Sequence, residues 1–183
     1  LHSEGPSQHI LDNGGVQEFI QLWVNVPKAS KWDEPSYQSF TKDQLPKVLQ
    51  QDGVNLRLAS GSYDGSTGPV KTFTPIISVG GEIEQGKRVQ FSATPGYWTL
   101  LYIAKGKLCI NQETVTAHNL VVFEKDNDEI IITAEEYSQV LFLSAEPIDE
   151  PVAAKDNFVL NTQEETEQAI TDYKNGVFGS LSY

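Results

Sequence analysis

His2 and Glu4, close to the start of the chain, are the pair whose types and spacing best suit chemistry. An imidazole and a carboxylate two positions apart on a strand stand on one side of it, so both can turn toward a single ion. Nitrogen and oxygen donors together suit a divalent transition metal. Spacing alone is weak support, since a His-x-Glu pair near a terminus is more often solvated surface. His9 and His118 are far from this pair in sequence. His9 stands with Ser7, Gln8 and Asp12 in a polar stretch that reads as a loop, and His118 opens a short apolar run, where a turn or surface position is the ordinary reading. No nucleophile-elbow pattern supports a serine or cysteine nucleophile. Gly61-Ser62-Tyr63-Asp64-Gly65 lacks the following helix whose N-terminus would hold a phosphate. Asp126-Asn127-Asp128 carries calcium-type donors, but the glycine and final Glu of an EF-hand loop are missing.

The elements that must position such groups are strands. Residues 17–26 predict a long strand with Phe19 and Trp23 on one face and Ile20, Leu22, Val24 and Val26 on the other, ended by Pro27. Three prolines mark 27–46 as a linker or crossing segment. Short β-type runs follow at 54–60, 71–79, 88–93, 98–104, 107–110, 119–123, 129–133 and 139–144. Turn signals such as Asp64-Gly65, Gly80-Gly81 and Lys105-Gly106-Lys107 separate them. With no crossover helices between them, these runs predict an all-β antiparallel sandwich or jelly roll. Alternation along the runs places Leu56, Leu58, Leu100, Tyr102, Val121, Ile131, Leu141 and Leu143 in its core. The chain then changes period. Thr162-Gln163-Glu164-Glu165 is a capping box, and the short amphipathic helix behind it is expected to dock through Ile170 and Tyr173 and to end at Gly176.

Composition narrows the function classes. The 183 residues suit one large domain, or a domain with part of another. A formal net charge of −12 repels phosphate backbones and anionic lipid, so neither direct nucleic-acid nor membrane binding is expected. No apolar run is long enough to span a bilayer, and no secretory signal is visible. The single cysteine, Cys109, lies in an apolar segment and reads as a buried, inert thiol in a reducing, cytoplasmic setting. The chain contains no methionine, which predicts either that a leader has been removed or that it opens inside a longer parent.

Several stretches resemble the pirin family. Leu1-His2-Ser3-Glu4 is similar to the end of its Gly-Ile-x-His-Ser-Glu segment, and Gln21-Leu22-Trp23-Val24-Asn25-Val26-Pro27 to its Gln-Leu-Trp-Val-Asn-Leu-Pro strand. Pro35-Ser36-Tyr37-Gln38, Pro147-Ile148-Asp149-Glu150-Pro151-Val152 and the tail from Phe158 to Gly179 follow in family order. The resemblance implies a bicupin cut short at its N-terminus. Residues 1–46 would be a remnant of the first cupin with a linker, 47–150 a second, metal-free cupin, and 151–183 a tail with the helix. It also implies that His2 and Glu4 are half of a metal site, completed upstream by a His-x-His pair. The ion would be Fe(II) or another divalent transition metal. The implied activity of the intact protein is that of a quercetinase, a dioxygenase opening a flavonol ring; this chain alone, with two ligands, is expected to hold metal poorly and to be inactive. The alternative implied role is regulatory, through contact with a protein partner (in the nucleus for eukaryotic members). If 17–26 is left without its usual cover, self-association through that surface is expected.

Overall fold

Short apolar runs broken by glycine and Asx turns can bury a face only by laying sheet against sheet. The computed structural model describes residues 2–125 and 129–180, so the Asp126-Asn127-Asp128 turn lies outside the described residues. The chain divides into two compact units. One is formed by the residues up to Trp32 together with those from Asp149 onward, the other by Asp33–Ile148.

The Asp33–Ile148 unit is the antiparallel β-sandwich. Its strands are β1 (Lys47–Gln51), β2 (Val54–Ser60), the short hairpin β3 (Ser62–Tyr63) and β4 (Ser66–Thr67), β5 (Ile76–Ile83) and β6 (Arg88–Ser92). They continue with β7 (Trp98–Lys105), β8 (Lys107–Ile110), β9 (Glu113–Thr116), β10 (Leu120–Phe123), β11 (Glu129–Ala134) and β12 (Ser138–Ala145). One sheet has the order β1-β2-β5-β12-β7-β10 and the other β6-β11-β8-β9, so the chain passes repeatedly between layers, as in a jelly roll. Leu56, Leu58, Phe91, Leu101, Ile103 and Phe142 are fully buried between them.

The structure corrects several expectations for this unit. Leu100, Tyr102, Ile131, Leu141 and Leu143 are only partly buried, and their neighbours Leu101, Ile103, Ile130, Ile132, Val140 and Phe142 fill the core instead. These strands are apolar on both faces, so alternation cannot choose the inner one. Cross-strand register decides it, setting Leu143 opposite Leu100 and Leu141 opposite Tyr102 on the outer face. Val121 packs against the core while remaining partly exposed. The strand expected at 71–79 begins after Pro75 and runs on through Gly80-Gly81. That glycine pair is part of the ladder. A Cβ at Gly81 would run into the Asn55 carbonyl oxygen of β2, so the close approach of two backbones requires glycine there. Cys109 is on the outer side of β8, half-buried rather than enclosed.

The other unit contains α1 (Gln8–Asn13), a 3-10 turn at Lys28–Ser30, the hairpin β13 (Ala153–Lys155) and β14 (Phe158–Leu160), and α2 (Gln163–Lys174). Residues 17–26 form no strand, because no neighbouring strand supplies ladder partners for their backbone groups. Residues 2–7 are likewise outside any strand, and His9 lies on α1, not in a loop. Ser7 starts that helix by accepting from the Ile10 amide at 3.4 Å. Helix α2 opens with the expected capping box: Thr162 accepts from the Glu165 amide at 3.2 Å, and Glu165 accepts from the Thr162 amide at 3.0 Å. Its buried residues are Thr166 and Ala169. Tyr173 is instead half exposed, its ring edge-on to Phe158 at 6.3 Å. Small side chains bring the helix close to the β13–β14 hairpin, and the larger Tyr173 lies at the margin of that contact.

Candidate functional site

Glu4 is the hub of the site suggested by sequence. His2 Nε2 lies 3.1 Å from Glu4 Oε1, and Gln21 Nε2 donates to the same oxygen at 2.7 Å. The His2 and Glu4 side chains are 82 % and 58 % exposed, so solvent screens their mutual attraction heavily. Their placement comes from the segment that follows them, residues 7–21. Helix α1 and Gly14, at φ +69°, turn the chain back on itself. Gln17 then accepts from the Ser7 amide at 3.1 Å, while Gln21 reaches Glu4. Convergence of His2 and Glu4 thus arises from side-chain bonds between two extended segments rather than from a strand.

His2 and Gln21 also line a groove of about 440 Å³ with Trp23, Asn25, Lys31 and Val159 among its walls. The turn at Lys28–Ser30 leads into Lys31 and is held from the far end of the chain. The Lys28 amide donates to Glu150 Oε2 at 2.7 Å, and the Asn161 side-chain amide donates to the same oxygen at 3.1 Å and to the Pro151 carbonyl at 3.0 Å. Lys28 Nζ pairs with Glu165 at 3.4 Å. Backbone amides of Asn161 and Thr162, with Lys28 beside them, hold the Glu165 carboxyl below its ordinary value. Sequence reasoning missed Gln21, Lys31, Glu150 and Asn161. The period-two pattern of 17–26 did contain a signal, since Gln21 and Asn25 share the face of Trp23.

The fit to a metal can be tested on the donor atoms. Two ligands bound side by side to an octahedral ion at roughly 2.1 Å are about 3.0 Å apart. The His2 Nε2–Glu4 Oε1 separation of 3.1 Å matches that edge. The pair therefore fits as part of a coordination sphere. Among the described residues no group of three or more His, Cys, Asp or Glu side chains converges. The centre of the sandwich holds an aromatic cluster. Phe91 and Phe142 stack at 4.3 Å with Tyr63 about 6 Å from each ring, and burial pushes the Tyr63 phenol up. After Gly96, Thr99 points inward to Ser144 at 3.2 Å, and Trp98 faces outward under Lys125.

A two-layer jelly roll of this strand order is a cupin. The chain belongs to the pirin family: residues 78–179 match the model of the Pirin C-terminal cupin domain. A Pseudomonas aeruginosa protein named "Putative quercetin 2,3-dioxygenase" is 32 % identical, covering 97 % of this chain and 63 % of its own length. Human Pirin is 30 % identical over 98 % of the chain and 61 % of its own. A crystal structure of quercetin 2,3-dioxygenase from Acinetobacter baumannii superposes with a TM-score of 0.83 at 29 % identity, covering 87 % of this chain and 56 % of that one. The chain thus spans somewhat under two thirds of the length of these curated relatives.

Proposed function

We propose that the protein is a metal-dependent cupin oxygenase of the quercetin 2,3-dioxygenase type, and that His2 and Glu4 are two of its metal ligands. The observation that carries this reading is the 3.1 Å donor pair, braced by Gln21 at a groove that has Trp23 in its wall. The names of the Pseudomonas and Acinetobacter relatives support it. Iron(II) or a similar divalent ion would supply the redox chemistry and open positions for dioxygen and a flavonol-like substrate. The chain's own residues perform simpler tasks. His2 offers an imidazole lone pair, Glu4 an anionic oxygen, and Gln21 fixes which way that carboxylate faces. A groove with apolar walls would exclude water from one side of a bound ring. A regulatory role through a protein partner is the second reading, supported by the exposed apolar side chains Phe19, Leu22 and Trp23.

Anaerobic titration of ferrous ion into the chain, followed by calorimetry, tests the metal assignment. Two ligands predict binding of roughly micromolar strength or weaker, abolished in His2→Ala. Binding that survives the substitution unchanged would place the metal elsewhere and overturn the assignment.

A further inference from the structure

Two carboxylates at the turn Lys28–Ser30 are both engaged by Lys28, Glu150 through its backbone amide and Glu165 through its ammonium. Lys31, three residues later, is left with neutral partners. Its Nζ donates to Asn25 Oδ1 at 2.6 Å and to the Val159 carbonyl at 3.2 Å, and among the described residues it forms no ion pair. An ammonium carries three N–H donors, so one remains beyond these two bonds. Lys31 is half-buried and lines the groove, whose lining among the described residues includes no Asp or Glu although the chain as a whole carries −12. A partly desolvated cation among neutral acceptors gains most from an anion placed on its remaining donor. Trp23, with Leu22 and Val24 beside it, gives the same groove an aromatic, apolar wall on which a flat ring can stack.

We propose that Lys31 is the anion subsite of this groove: it takes an oxygen anion (phenolate, enolate or carboxylate) carried on an aromatic ring that lies against Trp23. The inference rests on reading the groove as the ligand site of the proposed oxygenase, and it adds the charge of the ligand and the residue that recognises it. Pinning of the turn by Glu150 and Glu165 keeps Lys31 in register with Asn25, so the charge is presented without a large ordering cost.

A metal-free titration of the 183-residue chain with 2-naphthoate and its neutral isostere 2-naphthamide, followed by NMR, tests the subsite. The parent chain is expected to favour the anion by roughly tenfold or more, the scale of one charge-assisted hydrogen bond. Lys31→Met and Lys31→Gln should lose that preference while still binding the amide, and Lys31→Arg should keep it. The ratio of the two affinities is read within each variant, so a modest loss of stability does not mimic the result. An equal affinity for both probes, no binding of either, or an undiminished preference in Lys31→Met would overturn the proposal. His2→Ala should leave the preference intact, so failure of the metal assignment and failure of the anion subsite remain distinguishable.

Discussion

Gly106 turns the chain from β7 into β8 with φ at +87°, and a Cβ there would collide with the carbonyl oxygen of Tyr137. Gly106→Ala is therefore expected to cost about 2 kcal/mol or more, visible as a lower urea midpoint at unchanged slope. Equal midpoints would show that the turn can open without strain. At the opposite extreme of size, Phe142 stacks on Phe91 in the centre of the sandwich, and Phe142→Ala should cost about 3–5 kcal/mol by leaving a cavity between two sheets. At this scale the sequence was informative where residue type dictates role. Gly106 could be picked out by its Lys-Gly-Lys turn. Lys31 and Asn161 could not, because an amide or a lysine takes its role from the neighbour it reaches, and Asn161 reaches Glu150 eleven residues away.

Helix α2 shows how far a local signal can go. The capping box Thr162-x-x-Glu165 is complete within four residues, so it was legible, whereas the face that docks was set by the hairpin against which the helix lies. Thr162→Ala should lower stability by about 1 kcal/mol, measured by denaturant titration, and an unchanged curve would count against the cap. The Glu165 carboxyl is held low by amides that favour its charged form, so its contribution is present above the ordinary carboxylate range and fades as pH falls through the depressed value. The parent chain should exceed Glu165→Gln in stability at pH 7, and the gap should close as pH falls below the ordinary carboxylate range. A gap that stays constant with pH would assign the effect to packing instead. Strands β7 and β12 mark the limit of the same reasoning. Leu100-Leu101-Tyr102-Ile103 is apolar at every position, and only the register against β12 tells which residues face inward. Residues 17–26 failed for the opposite reason: their alternation is clear, but a strand exists only where another backbone lies beside it.

For the whole molecule, the alternation of β runs and turns was enough to predict an antiparallel sandwich or jelly roll, because runs without crossover helices bury their apolar faces by packing sheet on sheet. The division into units was harder to foresee, since one of them joins residues before Trp32 to residues after Asp149. In that unit Phe19 and Trp23 are 73 % and 62 % exposed, an apolar surface suited to pairing with a second copy. Sedimentation of the isolated chain should show a dimer or larger species, shifted toward monomer by Phe19→Asp. A monomer at high concentration in both would leave this surface without a role in assembly.

The clasp between Lys28 and Glu150 joins residues 122 positions apart, and Lys31 reaches Val159 across 128. A polypeptide emerges from the ribosome N-terminus first, and domains fold as units as they appear. The strands of Asp33–Ile148 are all made before Glu150, Asn161 and Glu165 exist, so the sandwich can close while the groove is still open chain. Lys28 and Lys31 can make these bonds only once Glu150, Val159 and Glu165 have been synthesised. The groove can therefore form only after the strands of the sandwich have been made, and a chain that stops after β12 would lack the residues that clasp it.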